Sequence, residues 1–163
     1  MIENTSTPSW FSTVPVNFGE TKTGTLKADE WRAFSTLYLP VALVLLWGAE
    51  STHPSETIAS NLNSILDHTM SLVQAIWLAC YRTTTEYRIK SMHSHLRDYL
   101  SKLKTFFPHA TSKCNQHMAL HLSEFMELFG PVHSWWTYPF ERLIGRLQNV
   151  PTNNKFGTLA SLL

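Results

Sequence analysis

The sequence predicts an all-α chain of about five helices in an irregular bundle, with an extended N-terminal arm and no sheet. Three observations predict it. Apolar residues recur at helical spacing through Ile58, Leu62, Ile65, Leu66, Met70, Val73, Ile76 and Trp77, and again through Met92, Leu96, Tyr99, Leu100, Leu103 and Phe107. Proline and glycine punctuate the chain at Pro40, Gly48, Pro54, Pro108, Gly130-Pro131 and Pro139, where helices stop, kink or start. No stretch reads convincingly as a strand.

Taken in order, residues 1–25 are rich in Ser, Thr, Pro, Asn and Gly, and show no periodicity. They read as an arm whose aromatics Trp10, Phe11 and Phe18 pack onto the body or onto a partner. A single helical domain is expected over 26–150, and a tail over 151–163. The first helix starts near Leu26, with Thr25 as a possible cap and Asp29 and Glu30 favoured by the helix dipole. Trp31, Phe34, Leu37 and Tyr38 share a face. Pro40 should kink or restart this helix because it has no N–H and crowds the preceding turn. Val41–Trp47 is apolar all round and is expected to be the most buried segment, ending at Gly48.

The second helix is expected from about Ser55 to Tyr81. Thr83–Glu86 matches a capping box that opens the third, which Pro108 ends. A fourth helix is expected over about Lys113–Phe129. Gly130 suits a left-handed stop there, reinforced by Pro131. Pro139 opens the fifth, which runs to about Gln148.

The net charge of +1 removes the simplest argument for nucleic-acid binding, a large basic surplus, and leaves only a local patch. Cys80 and Cys114 are far apart and form no C-x-x-C, so a reducing, intracellular setting is expected. The N-terminus has no charged-then-apolar pattern of a secretory signal. The longest apolar run, Leu37–Trp47, is too short for a bilayer, which needs roughly 20 residues. No membrane partner is expected.

The groups able to carry chemistry cluster in 117–148. His117 and His121, four apart on a helix, offer two imidazoles from one face, the spacing used for zinc. The ordinary alternative is a pair of surface or core histidines. Glu141 lies in the first turn of the last helix. There it stabilises the dipole, or it serves as a metal-binding carboxylate. Trp135 and Trp136 either stack on bases or pack between helices. Arg142 and Arg146, one turn apart, either contact phosphate or pair with Glu124 or Glu127.

The block GPVHSWWTYPFERLIGRLQ (130–148), preceded by HMALHL (117–122) and followed by TNNK (152–155), resembles the C-terminal region of CACTA-type (En/Spm-like) DDE transposases. It is closest to those in fungal transposable-element reading frames. LKADEWRAFSTLYLPVALVLLWG (26–48) resembles the helical segment that precedes this region in the same proteins. The likeness runs from about Trp10 to Lys155, with the second helix alike only in type.

The resemblance implies a mechanism for the whole transposase. An RNase H-like core carries two Asp on strands, and a late helix carries one further acid. Together they hold two Mg²⁺ for attack on phosphodiester bonds. A helical insertion precedes the last acid, and a His pair in it helps bind a structural zinc. Carried over, His117 and His121 match the zinc pair, Trp135 the intervening aromatic and Glu141 the last catalytic acid. No strand is available here for the two Asp, and the C-x-x-C half of the zinc site is missing.

The resemblance therefore implies a fragment of a DDE transposase, its helical insertion and last catalytic helix, without catalysis of its own. No cofactor is expected on the isolated chain; Mg and structural Zn belong to the full-length family. DNA and the absent RNase H-like core are the implied partners, and the nucleus the implied location. The alternative is a small helical DNA- or protein-binding module derived from a transposon. A free-standing zinc hydrolase built on His117, His121 and Glu141 is a weaker third reading, with no obvious general base.

Overall fold

The computed structural model describes residues 8, 14–15, 17–19, 26–48 and 50–148, apart from the side chains of Tyr138 and Arg142. Among them every regular element is helical and no strand occurs. The fold is all-α, as the periodicity predicts. Trp10, Phe11 and the tail 151–163 lie outside the described residues.

Helix α1 spans Ala28–Ala33 and leads through a π turn, Phe34–Tyr38, into α2, Leu39–Trp47. The start falls two residues later than expected: the Glu30 carboxylate accepts from the Lys27 N–H at 2.7 Å. Thr25 lies outside the described residues. The π turn explains how Pro40 is accommodated. The Leu39 N–H reaches back five residues to the Phe34 carbonyl, so the helix widens where the proline ring would crowd it. Pro40 has no N–H for the Thr36 carbonyl, which accepts instead from the Trp77 indole at 3.0 Å. A helix defect thus becomes a tie to the next helix.

The centre of the molecule is a helical hairpin. Helix α3 (Glu56–Ala79) begins at Ser55, whose hydroxyl accepts from the Ile58 N–H at 3.3 Å. Helix α4 (Glu86–Phe106) begins at Thr85, whose hydroxyl accepts from the Arg88 N–H. The capping box expected at Thr83 does not form. The Arg88 guanidinium takes the Thr83 carbonyl at 2.8 Å and also bonds its hydroxyl, which leaves Thr85 to cap.

Ala75, Ala79, Ile89, Met92 and Leu96 fill the hairpin seam, and Met126 closes it from above. Val14, Leu26, Ala33 and Tyr38 form a second, smaller cluster, with Phe18 packed against Phe34 at 4.8 Å between ring centroids. The expected packing of the arm onto the body therefore holds at Phe18.

Two further expectations need correction. The helix expected over Lys113–Phe129 is two helices, α5 (Cys114–Leu120) and α6 (Leu122–Phe129), with the seam at His121. There the Ser123 hydroxyl bonds the Leu120 carbonyl at 3.3 Å, offering it a partner outside the helical ladder. The second concerns Val41–Trp47, which is not the most buried segment. Val41, Val44, Leu45 and Leu46 are all exposed, and α2 buries only Pro40 and Leu43. An apolar helix is covered only where the chain has something to cover it with, and here α3 and the π turn cover one strip.

His68 sits inside the hairpin at 3% exposure, stacked on Tyr99 at 4.6 Å and Phe106 at 4.7 Å. Among the described residues, neither ring nitrogen has a hydrogen-bond partner. Burial pushes its pKa below the ordinary 6.5; the Asp98 charge partly opposes this and Lys102 adds to it. The unfolded chain therefore binds a proton that the folded chain refuses. The stability tied to neutral His68 is complete above pH 6.5 and falls as the pH drops from there toward the folded-state pKa. Urea unfolding at pH 7.5 and pH 5.5 checks this: His68→Phe should lose less stability between the two than the native chain does. Equal losses would contradict it.

Candidate nucleic-acid interface

Gly130 ends α6 with φ +77°, a conformation open to glycine, and Pro131 prevents the helix from resuming. A short 3₁₀ turn, Val132–Ser134, follows, and then the two tryptophans. They have different fates. Trp135 turns inward against the core cluster, edge-on to Phe125 at 6.1 Å, and its indole donates to the Gly130 carbonyl at 3.2 Å. It stitches the loop closed, which is the packing alternative rather than base stacking.

Trp136 turns to the other side. Its ring meets His133 edge-to-face at 3.9 Å, and the Arg32 guanidinium lies 5.8 Å from its centroid. His133 is anchored in turn: its Nε2 donates to the Cys80 carbonyl at 2.8 Å, which places the neutral ring's proton on Nε2. That bond joins the aromatic loop to the end of α3. Burial raises the Cys80 thiol pKa above its usual range, with Arg32 partly offsetting it.

Helix α7 (Tyr138–Gln148) then brings Pro139, Leu143 and Arg146 to the same place. Together with Asp29 and Arg32 of α1, Arg82 of the α3–α4 loop, His133 and Trp136, they line a cleft of about 570 Å³. Three arginines and one aspartate line it, a local formal charge of plus two, so the cleft is positive although the chain is nearly neutral. Guanidinium groups suit phosphate through paired N–H donors. Trp136 adds a flat apolar surface beside them.

Of the residues singled out from sequence, Arg146 and Trp136 meet in this cleft and Trp135 does not line it. Arg142 lies on α7, but its side chain is outside the described residues. Arg32, Arg82 and His133 complete the site, and no motif in the sequence marks them as binding residues. The aromatic run flagged His133 only by position, and nothing in local spacing flagged either arginine.

Glu141 is exposed in the first turn of α7. The Thr137 hydroxyl donates to its carboxylate at 2.9 Å, while its own N–H donates to the Thr137 carbonyl at 2.9 Å. This is how an acid serves a helix start. His117 and His121 do come together, edge-to-face at 5.1 Å between centroids. The His121 Nδ1 lies 3.2 Å from both oxygens of Glu124. Among the described residues, no group of three or more His, Cys, Asp or Glu is arranged to hold a metal ion. The donors among the described residues are a His pair and a single first-turn acid, short of the full zinc or two-magnesium set that the resemblance implies. No helix among the described residues is long and apolar enough to cross a membrane.

Neither a curated protein nor a solved structure matches the chain. Residues 80–158, just under half of the chain, are similar to the family described as "Domain of unknown function (DUF4218)", a span that holds the whole of α4–α7 and the aromatic loop.

Proposed function

We propose that the chain is a DNA-contacting helical module of the DDE-transposase kind, in which the cleft of Arg32, Arg82, Arg146 and Trp136 holds the nucleic-acid backbone. The observation that carries this reading is the convergence itself. Arg146 and Trp136 come from the block that resembles the transposases, and the fold adds two guanidiniums from distant parts of the chain to them. The similarity over 80–158 spans the same block. Phosphate contacts by arginine position a nucleic acid, and a tryptophan face can stack a base.

Glu141 is the third acid of a trio in this reading, and the RNase H-like core that holds the other two is a partner. The apolar stripe on α7, Phe140, Leu143, Ile144 and Leu147 at i, i+3, i+4 and i+7, supports such docking because all four remain exposed. One carboxylate does not hold two metal ions, so catalysis by the isolated chain is not part of the proposal.

Fluorescence anisotropy with labelled duplex and single-stranded oligonucleotides tests the binding. The expected result is affinity that falls steeply with salt. Arg82→Ala and Arg146→Ala should each weaken it several-fold and lower the salt slope by about one. Trp136→Ala should cost about 1–3 kcal/mol if the ring stacks on a base. Glu141→Ala should leave affinity unchanged. Absence of binding at low salt would refute the proposal.

A further inference from the structure

A second feature lies on the α2–α3–α4 face and shares no lining residue with the arginine cleft. A groove of about 620 Å³ runs along α3 from Met70 to Leu78 and on to Tyr81 just past its end, with Tyr87, Ser91 and His95 of α4 as one wall and the residues around Pro40 as the other. Among the described residues, no Asp, Glu, Lys or Arg lines it. Beside it stands a ridge. Val41, Val44 and Leu45 fall at i, i+3 and i+4 on α2, a helix with no charged residue. Val41 belongs to both ridge and groove, so the two form one continuous surface. Trp77, Tyr81 and Tyr87 are exposed within it, Tyr87 at 78% and Leu45 on the ridge at 67%.

We propose that this face is the interface of a two-fold symmetric dimer, with the α2 ridge of each copy lying in the groove of the other. Three arguments favour a second copy of this chain as the occupant. A ridge next to a groove is complementary to itself under a two-fold rotation, as an isologous interface requires. Among the described residues the patch carries no formal charge, so it faces its own image without like-charge repulsion; Arg88, beside Tyr87, is held over the Tyr81 ring at 4.3 Å and bonded to Thr83.

The third argument is area. Val41, Val44, Leu45, Trp77, Tyr81 and Tyr87 together expose the equivalent of roughly three whole large side chains, ~600 Å² at ~200 Å² apiece. With the polar rim of Gln74, Ser91 and His95, this approaches the ~800 Å² per partner of a standard stable interface. An interface this free of charge belongs to the apolar class typical of homodimers.

Sedimentation velocity of the full chain over a range of concentrations tests the proposal, with Leu45→Glu on the ridge and Tyr87→Glu in the groove. Both positions are exposed in the single chain, so circular dichroism should show native helix content in each variant. The native chain should sediment as a dimer at micromolar concentration. Each variant should weaken that dimer at least about tenfold, because it buries an unpaired charge on both sides of the axis. A native chain that stays monomeric at a hundred micromolar would overturn the proposal. So would a dimer that neither substitution weakens.

Discussion

Met92→Ala should cost about 2–5 kcal/mol of stability. Met92 is 1% exposed, the most buried large side chain of the hairpin seam, and touches a cluster drawn from α3, α4 and α6. Truncation removes most of the side chain's buried surface and leaves a cavity among Ala75, Ala79 and Ile89, residues too small or too constrained by helix geometry to refill it. A domain of this kind has only about 5–15 kcal/mol in total, so the loss is a large share. Thermal unfolding should fall by on the order of 10 °C. Lys104→Ala, on the exposed side of the same helix, should shift stability by no more than about 0.5 kcal/mol. Equal effects from the two would mean that the seam does not hold the fold.

Much of this architecture is legible in the residues. The stripes of α3 and α4 announce two amphipathic helices. Ser55 marks where the first begins, Pro108 follows the end of the second, and Gly130-Pro131 places the break before the aromatic loop. These are local rules, and each is decided by neighbours a few residues away.

What was not legible depends on distant partners. Three consecutive threonines before Glu86 offer three possible caps, and the choice of Thr85 follows from where the Arg88 side chain lands. The all-apolar α2 has no stripe to read, and an unbroken apolar run does not say how much of it the chain will cover. The cleft is the extreme case. Arg32, Arg82 and Arg146 are about fifty and sixty residues apart, and long-range contacts such as Trp77 on the π turn, His133 on the Cys80 carbonyl and Arg32 on Trp136 bring them together. No periodicity encodes that meeting. The two tryptophans show the same limit: adjacent in sequence and alike in chemistry, one closes the loop and the other floors the cleft.

The His117–His121 pair shows the opposite case, a motif whose local geometry forms as spacing implies while its wider set does not assemble. The rings approach, yet the neighbouring carboxylate, Glu124, is engaged with His121, and the described residues bring no further donor. A helix makes a pair of imidazoles from spacing alone; a metal centre needs ligands that other elements must deliver.

If the proposed DNA contact is right, affinity comes from the arginine cleft rather than from overall charge. The most direct test is oligonucleotide affinity of the double variant Arg82→Glu/Arg146→Glu against a control, Arg97→Glu/Lys104→Glu, which changes the net charge by the same amount elsewhere. The cleft variant turns a local formal charge of plus two into minus two. It should lose about a hundredfold or more in affinity at moderate salt, where each phosphate contact carries a large share of binding. The control should lose far less. A cleft variant that still binds within about threefold of the native chain, or a control that loses as much, would contradict the claim.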